Sequence, residues 1–277
     1  MGYWLAPHLF FQRPSILRHQ SFLSLLALQF RVIGSLILRE TRATFGTSRL
    51  GYLWALITPV AGILVLVVIF SFAGRLPSPY GGSLALFLAL GLLTLQFYTE
   101  LASKLMTVFS ANQALLTYPP IKAVDTVLAR FILISLTYLL INTIFVIGLV
   151  WFDLADWPAH PHQLFLAFLC TAGIGLGIGT LNAIISSFFT SWQHINALIN
   201  RPLFFISGIF YLPSALPPNV RNILQWNPVM QLIEWMRTGY YPDYNSLVLN
   251  IEYIYVIMTV LIFLGLTGER LLRHRRI

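Results

Sequence analysis

RETRATFGTSRLGYLWALITP, residues 39 to 59, decides how the rest of the chain is arranged. Its first half is cationic, with Arg39, Arg42 and Arg49 set against a single Glu40. Its second half opens an apolar run that continues to Phe72. A basic amphipathic segment that turns directly into a long hydrophobic one reads as a helix lying on a membrane and then entering it. The side that keeps the arginines is expected to be cytoplasmic, so this stretch orients everything after it. Upstream, residues 21–38 place Val32, Ile33, Leu36 and Ile37 on one helical face and Arg31, Ser35 and Arg39 on the other. Together these segments predict a cytoplasmic interfacial helix over about 21–48.

Composition agrees with a bilayer environment. Of 277 residues, 57% are hydrophobic and 9% charged, with a mean hydropathy of +0.77. Soluble domains carry about 25% charged residues, so this chain has too little charge to cover a water-facing surface. The net charge of +8 does not point to nucleic acid, because the basic residues cluster at the ends of apolar runs. Cys170 is the single cysteine, which excludes an intrachain disulfide, and it reads as a small buried hydrophobe. No cleavable signal peptide is expected near Pro7, Arg13 and Pro14.

A spanning helix needs about 20 apolar residues. Six stretches qualify: Leu50–Phe72, Leu84–Met106, Val124–Phe152, Leu164–Phe189, Ile195–Leu212 and Ile251–Leu266. With both termini inside, 14 of the 17 basic residues fall on the cytoplasmic side, leaving only Arg75, Arg221 and Arg237 outside. The expected fold is therefore all-α and integral to the membrane, a single transmembrane domain over residues 1–277 with six transmembrane helices. The long outside segment, residues 213–245, reads as two short re-entrant helices broken at Asn227-Pro228. Its Trp226, Trp235, Tyr240 and Tyr241 suit a membrane interface. Inside, SANQALLTYPPIKAV at 110–124 supports a turn or two of helix that Tyr118-Pro119-Pro120 stops.

Chemistry-bearing patterns are sparse. GIGLGIGT at 173–180 lacks the lysine and the preceding strand of a phosphate loop, so it reads as close helix packing through small residues. Asp153, Asp156, His160 and His162 share one outside loop and are read as solvated rather than metal-binding. Glu100 and Lys104 are spaced to pair along one helix face, either as an interfacial ion pair or lining a polar pathway. Arg201 stands inside an apolar segment and either snorkels to headgroups or lines the same pathway. Aromatic residues within spans, among them Tyr52, Trp54, Phe97, Tyr98 and Tyr138, would offer flat faces to sugar rings if they line a channel. No Ser-His-Asp or Cys-His arrangement follows from spacing, so the chain is not expected to be an enzyme.

LRETRATFGTSRLGYLWALITP at 38–59, RPLFFISGIFYLPSALP at 201–217 and WNPVMQLIEWMRTGYY at 226–241 together resemble the permease subunits of ABC polysaccharide exporters, the capsule-export branch typified by KpsM. The resemblance implies a homodimer enclosing a translocation channel. It also implies two copies of a separate ATPase that binds ATP and Mg, so no cofactor is expected in this chain. A lipid-linked capsular polysaccharide would be the substrate, with membrane lipids around it and a periplasmic adaptor or co-polymerase as a further partner. It further implies a coupling helix over 109–122 that docks in the ATPase, with Asn112, Leu115, Leu116, Tyr118 and Pro119 as contacts. Arg39, Arg42 and Arg49 would hold the interfacial helix where substrate is admitted. Tyr52, Trp54, Phe97, Tyr98, Tyr138 and Arg201 are candidate channel-lining residues. Pro217, Trp226, Asn227, Pro228, Glu234, Trp235 and Arg237 would belong to a periplasmic gate. The expected location is the bacterial inner membrane. The competing readings are an ATP-independent flippase or secondary transporter, and an integral-membrane glycosyl- or acyltransferase.

Overall fold

The structure, a computed structural model, describes residues 22–46, 49–72, 83–117 and 121–272. Its regular elements are all helical among the described residues. In chain order they are α1 (Phe22–Phe45), α2 (Arg49–Phe72), α3 (Leu84–Met106), α4 (Val108–Ala111), α5 (Gln113–Leu116), α6 (Ala123–Trp151) and α7 (Pro161–Phe188). There follow α8 (Trp192–Ile206), a 3-10 turn at Pro213–Ala215, α9 (Pro218–Leu224), α10 (Pro228–Tyr240) and α11 (Ile251–Leu272). Four of these, α3, α6, α7 and α11, are long and apolar enough to cross a membrane, and Ile57–Phe72 within α2 is a shorter apolar stretch.

Local chemistry sets the helix ends. Ser83 accepts the Leu86 N–H at 3.1 Å and starts α3. Asp125 reaches back to the Lys122 N–H at 3.0 Å to start α6. Pro161 and Pro228 stand in the first turns of α7 and α10, where a missing N–H costs nothing, and Asn227 caps α10 by accepting from Val229 at 3.0 Å.

α7 is the central helix. It packs along α3 on one side and α11 on the other, with α10 covering its outer part. The glycines of GIGLGIGT make this possible by alternating faces. Gly173 and Gly177 lie against Met258 and Leu261 of α11, while Gly175 and Gly179 lie against Leu101 and Leu105 of α3. A Cβ on Gly179 would stand 2.8 Å from the Leu101 carbonyl oxygen, so only glycine admits this approach. Phe97 of α3 fills the remaining core, stacked on Phe168 of α7 at 4.6 Å and on Tyr138 of α6 at 5.1 Å.

α1 leans on α6, turning Leu36 inward while Arg31 and Ser35 stay exposed. Two segments differ from expectation. The stretch expected as one coupling helix over 109–122 is two single turns, α4 and α5, broken at Asn112. The Asn112 side chain donates to the Val108 carbonyl at 2.8 Å and competes with the backbone ladder. The fifth apolar stretch, expected over Ile195–Leu212, is helical only from Trp192 to Ile206. Gly208 then turns left-handed at φ 76°, and the chain leaves the helix before Leu212. A helix of 15 residues rises only about 22 Å, short of a bilayer core.

Candidate functional site

A cavity of about 740 Å³ lies between the end of α1, the first half of α2, the second half of α3 and the first two thirds of α6. That is the size of a small-molecule site rather than a packing defect. Its lining mixes charged groups (Glu40, Glu100, Lys104, Arg130) with hydroxyl and amide groups (Thr44, Thr58, Gln96, Thr99, Thr107, Thr137, Tyr138). Trp54, Pro59, Leu133, Ile134 and Ile141 supply the apolar surface. Helical periodicity explains the set: Gln96, Glu100 and Lys104 of α3, with Thr107 at its C-cap, recur at three- and four-residue steps, as do Arg130, Leu133, Ile134, Thr137 and Ile141 of α6. The charges balance. Arg130 is ion-paired with Glu40, and Lys104 lies 3.8 Å from Glu100.

Beneath the cavity, side chains tie α1 to the α4–α5 segment and to α6. Arg130 reaches Glu40 of α1 and donates to the Lys104 carbonyl at 2.8 Å and the Thr107 hydroxyl at 3.2 Å. Arg39 donates to the Asn112 side-chain oxygen at 2.6 Å, and Gln29 donates to Asp125. Each partner also holds backbone of its own: Asn112 the Val108 carbonyl, Asp125 the Lys122 N–H. The α4–α5 segment is thus tied to α1 directly through the charge-assisted Arg39–Asn112 bond, which is of the strong kind.

At the other end of the helices, α10 is almost wholly buried, with Trp235 and Arg237 among the most enclosed side chains in the structure. Glu234 accepts from Arg237 at 3.1 Å, from Tyr244 at 2.6 Å and from Ser246 at 2.7 Å. Arg237 in turn donates to the carbonyls of Ile209 at 3.1 Å and Tyr211 at 3.3 Å, and lies 3.9 Å over the Phe87 ring. This arginine thus fastens the irregular chain after α8 to α10 and α3. Burial, then the charge of Glu234 and its hydrogen bond, push the Tyr244 hydroxyl well above its ordinary pKa.

The structure distributes the expected site residues unevenly. Trp54 and Tyr138 line the cavity. Phe97 and Tyr98 are enclosed in the helical core, and Arg201 is exposed on α8 away from the cavity. Arg39 engages Asn112, whereas Arg42 is exposed. The side chains of Arg49 and Tyr52 lie outside the described residues, as do Tyr118 and Pro119 entirely. Leu115 and Leu116 are half-buried beside a buried Asn112. Of the second group, Glu234, Trp235 and Arg237 are internal. Asn227 holds Ser207 at 3.1 Å, Pro228 begins α10, and Pro217 and Trp226 are exposed, Trp226 edge-on to Tyr253. Among the described residues no three His, Cys, Asp or Glu groups converge on a metal-sized site. Gln29, Asp125 and the pairing of Glu40 with Arg130 carried no sequence signal, because the partners lie up to 96 positions apart.

A family model described as ABC-2 type transporter matches residues 31–241. The chain belongs to the ABC-2 type transporter family. Over 243 residues, 86% of this chain and 92% of the relative, it is 30% identical to the polysialic acid transport protein KpsM of Escherichia coli. It is 27% identical over 250 residues to the capsule polysaccharide export inner-membrane protein CtrC of Neisseria meningitidis, covering 90% of this chain and 94% of the relative. With BexB of Haemophilus influenzae, also a capsule polysaccharide export inner-membrane protein, identity is 25% over 246 residues, 89% and 92% of the two chains. This ABC-2 transporter chain is a membrane permease subunit and not itself an enzyme, and its family implies an ABC ATPase partner.

Proposed function

We propose that this chain is the transmembrane subunit of an ATP-driven exporter that moves a lipid-linked capsular polysaccharide across the bacterial inner membrane. The observation that carries the reading is near end-to-end similarity to KpsM, named for polysialic acid transport, and to CtrC and BexB, named for capsule polysaccharide export. Two copies of the subunit enclose the path, two ATPase subunits bind ATP and Mg, and a periplasmic adaptor continues the route outward. α2, α3, α6, α7, α8 and α11 are the six spans of each subunit, with both termini cytoplasmic. α8 completes its crossing through the irregular chain that follows it, and α9 and α10 fold back from the periplasmic side as the gate.

The α4–α5 segment is the docking point for the ATPase, with Leu115 and Leu116 presented to a groove, Asn112 behind them, and Tyr118 and Pro119 as further candidate contacts. ATP-driven closure of the ATPases moves this segment, and the Arg39–Asn112 and Arg130–Glu40 ties support transfer of that motion to α1 and the cavity wall. Arg39, Arg42 and Arg49 keep α1 at the inner headgroups, where the lipid-linked polymer is admitted. Trp54, Tyr52, Tyr138 and Arg201 remain candidates for the path. The permease itself makes and breaks no covalent bond; it changes accessibility by binding its substrate differently in two states.

The test is purification of tagged protein from its native membrane in mild detergent, with every stoichiometric partner identified by mass spectrometry. An ABC ATPase in equal amount, and loss of surface polysaccharide on deleting either subunit, is the expected result. A stable preparation without an ATPase, or a deletion strain that keeps its surface polymer, overturns the proposal.

A further inference from the structure

Asp153, Asp156, His160 and His162 make the α6–α7 loop read as solvated, but its apolar side chains are bare as well. Trp151 is 81% exposed, Phe152 73% and Trp157 68%, with Leu154 between them also exposed. The backbone fixes how they are presented. At the end of α6 the Asp153 N–H donates to the Val150 carbonyl at 3.1 Å and the Leu154 N–H to the Leu149 carbonyl at 2.9 Å, while Asp153 turns left-handed at φ 54°. That paired closure sets the direction of the chain after the helix. Further on, the Ala159 and His160 N–H groups donate to the Tyr240 and Gly239 carbonyls at 3.1 and 2.9 Å. The Tyr240 hydroxyl donates back to the Asp156 carbonyl at 2.6 Å. The loop is thus fastened to the last turn of α10 while its large apolar groups face outward.

Two observations say what covers those groups. Leu136, Leu140, Ile144 and Ile147 form an exposed stripe of α6 at three- and four-residue steps, and Trp151 continues it by the next step. Trp151 also stands 21 residues beyond Arg130, the last charged residue of α6. At about 1.5 Å per residue that is roughly 31 Å, the thickness of a bilayer's hydrocarbon core. The stripe therefore ends where acyl chains give way to headgroups. Tryptophan suits that level, with an apolar body and one polar N–H, and Asp153 and Asp156 keep their water there. We propose that the α6–α7 loop is a foot on the bilayer surface remote from α4–α5. Trp151, Phe152, Leu154 and Trp157 sit at the phospholipid headgroup boundary, and the loop holds the last turn of α10 at that depth. The inference rests on the proposed crossing of α6. Its test involves neither ATPase nor transport, so a failure here leaves the export reading standing.

The full-length protein is placed in phosphatidylcholine nanodiscs in which a fraction of the lipid carries bromine, either near the headgroup end of its acyl chains or near the methyl end. The fluorescence of Trp151 and of Trp157 is read as the difference between the unsubstituted protein and Trp151→Phe or Trp157→Phe. The shallow bromine is expected to quench both several-fold more than the deep one, and aqueous acrylamide to quench them several-fold less than free tryptophan. Free access of acrylamide without quenching by either lipid returns the loop to water. Shielding from acrylamide without lipid quenching means that protein, such as a second copy of the chain, covers it. Either result overturns the proposal, as does stronger quenching by the deep label. The hold on α10 is read by amide hydrogen exchange in the same discs. Phe152→Ser with Trp157→Ser changes only exposed side chains and leaves every backbone donor of the loop in place. Exchange over Pro228–Tyr240 should become several-fold faster in that variant. Unchanged exchange there overturns the hold on α10.

Discussion

Replacing Gly148, Gly173 and Gly177 by alanine, one at a time, separates contact between backbones from contact with flexible side chains. At Gly148 a Cβ would meet nothing within 4 Å, so Gly148→Ala should gain the helix-propensity difference of about 1 kcal/mol. At Gly173 the nearest atoms are the Sδ and Cγ of Met258, at 2.5 and 2.7 Å, the far part of an unbranched side chain that can rotate away. Gly173→Ala should therefore fall between neutral and the Gly148 gain. At Gly177 the new carbon would stand 2.7 Å from the Leu261 carbonyl carbon and 2.9 Å from the Ile262 nitrogen. Backbone cannot rotate away, so α7 and α11 must part by several tenths of an ångström. Overpacking of this kind costs about 1–3 kcal/mol, which offsets or exceeds the propensity gain. Gly177→Ala should thus lie about 1–3 kcal/mol below Gly148→Ala. Reversible unfolding in mixed micelles of mild detergent and dodecyl sulfate, followed by far-ultraviolet circular dichroism, gives the three values. If Gly177→Ala is as stable as Gly148→Ala, or Gly173→Ala is the worst of the three, the close approach of α7 and α11 is wrong.

Arg237→Met leaves Glu234 with hydroxyl donors only and strips the Ile209 and Tyr211 carbonyls of theirs; it should cost about 3–5 kcal/mol in the same assay, and pairing it with Glu234→Gln should recover part of the loss. Tyr244 has its hydroxyl pKa raised in the fold, so the folded state holds that proton more tightly than the unfolded chain. Stability from this group should be complete below about pH 10 and decline above it, and Tyr244→Phe should remove that component of the pH profile. Leu115→Glu with Tyr118→Glu should abolish export and ATPase co-purification while leaving the circular dichroism spectrum unchanged; normal export in that variant removes the docking assignment. Asn112→Ala, which releases Arg39, should lower export per ATP hydrolysed while the ATPase still co-purifies; unchanged coupling would show that the tie transmits nothing.

The helices were legible because their signals are local. Apolar length marked α3, α6, α7 and α11, Asn227-Pro228 marked the break before α10, and the alternate glycines at 173–179 foretold close packing without saying against what. The end of α8 was not legible, since an apolar run through Ile206–Leu212 looks the same whether or not Gly208 turns left-handed. Charges misled in proportion to the distance of their partners. Arg39 read only as a headgroup anchor, and its second role, the bond to Asn112 73 positions on, left no local mark. Glu40 looked like a lone acid among arginines, and its true partner is Arg130 of α6. Phe97 and Tyr98 show the remaining limit: an aromatic on a spanning helix has no sequence mark for which side it faces, and both turn into the core.

The contact of α7 with α3 has a mechanical consequence. Where a glycine rests within van der Waals range of its neighbour's carbonyl, the two rods can neither slide nor spin past one another without first separating. α3 is therefore a fixed post, although its lower end leads straight into the segment proposed to dock the ATPase. If the ATPase docks as proposed, a load arriving at residues 107–117 would meet a stop along α3 and be shunted sideways, through Asn112 and Arg130, onto α1. The permease would then behave less like a piston than like a crank, with its stroke delivered at the rim rather than along the axis.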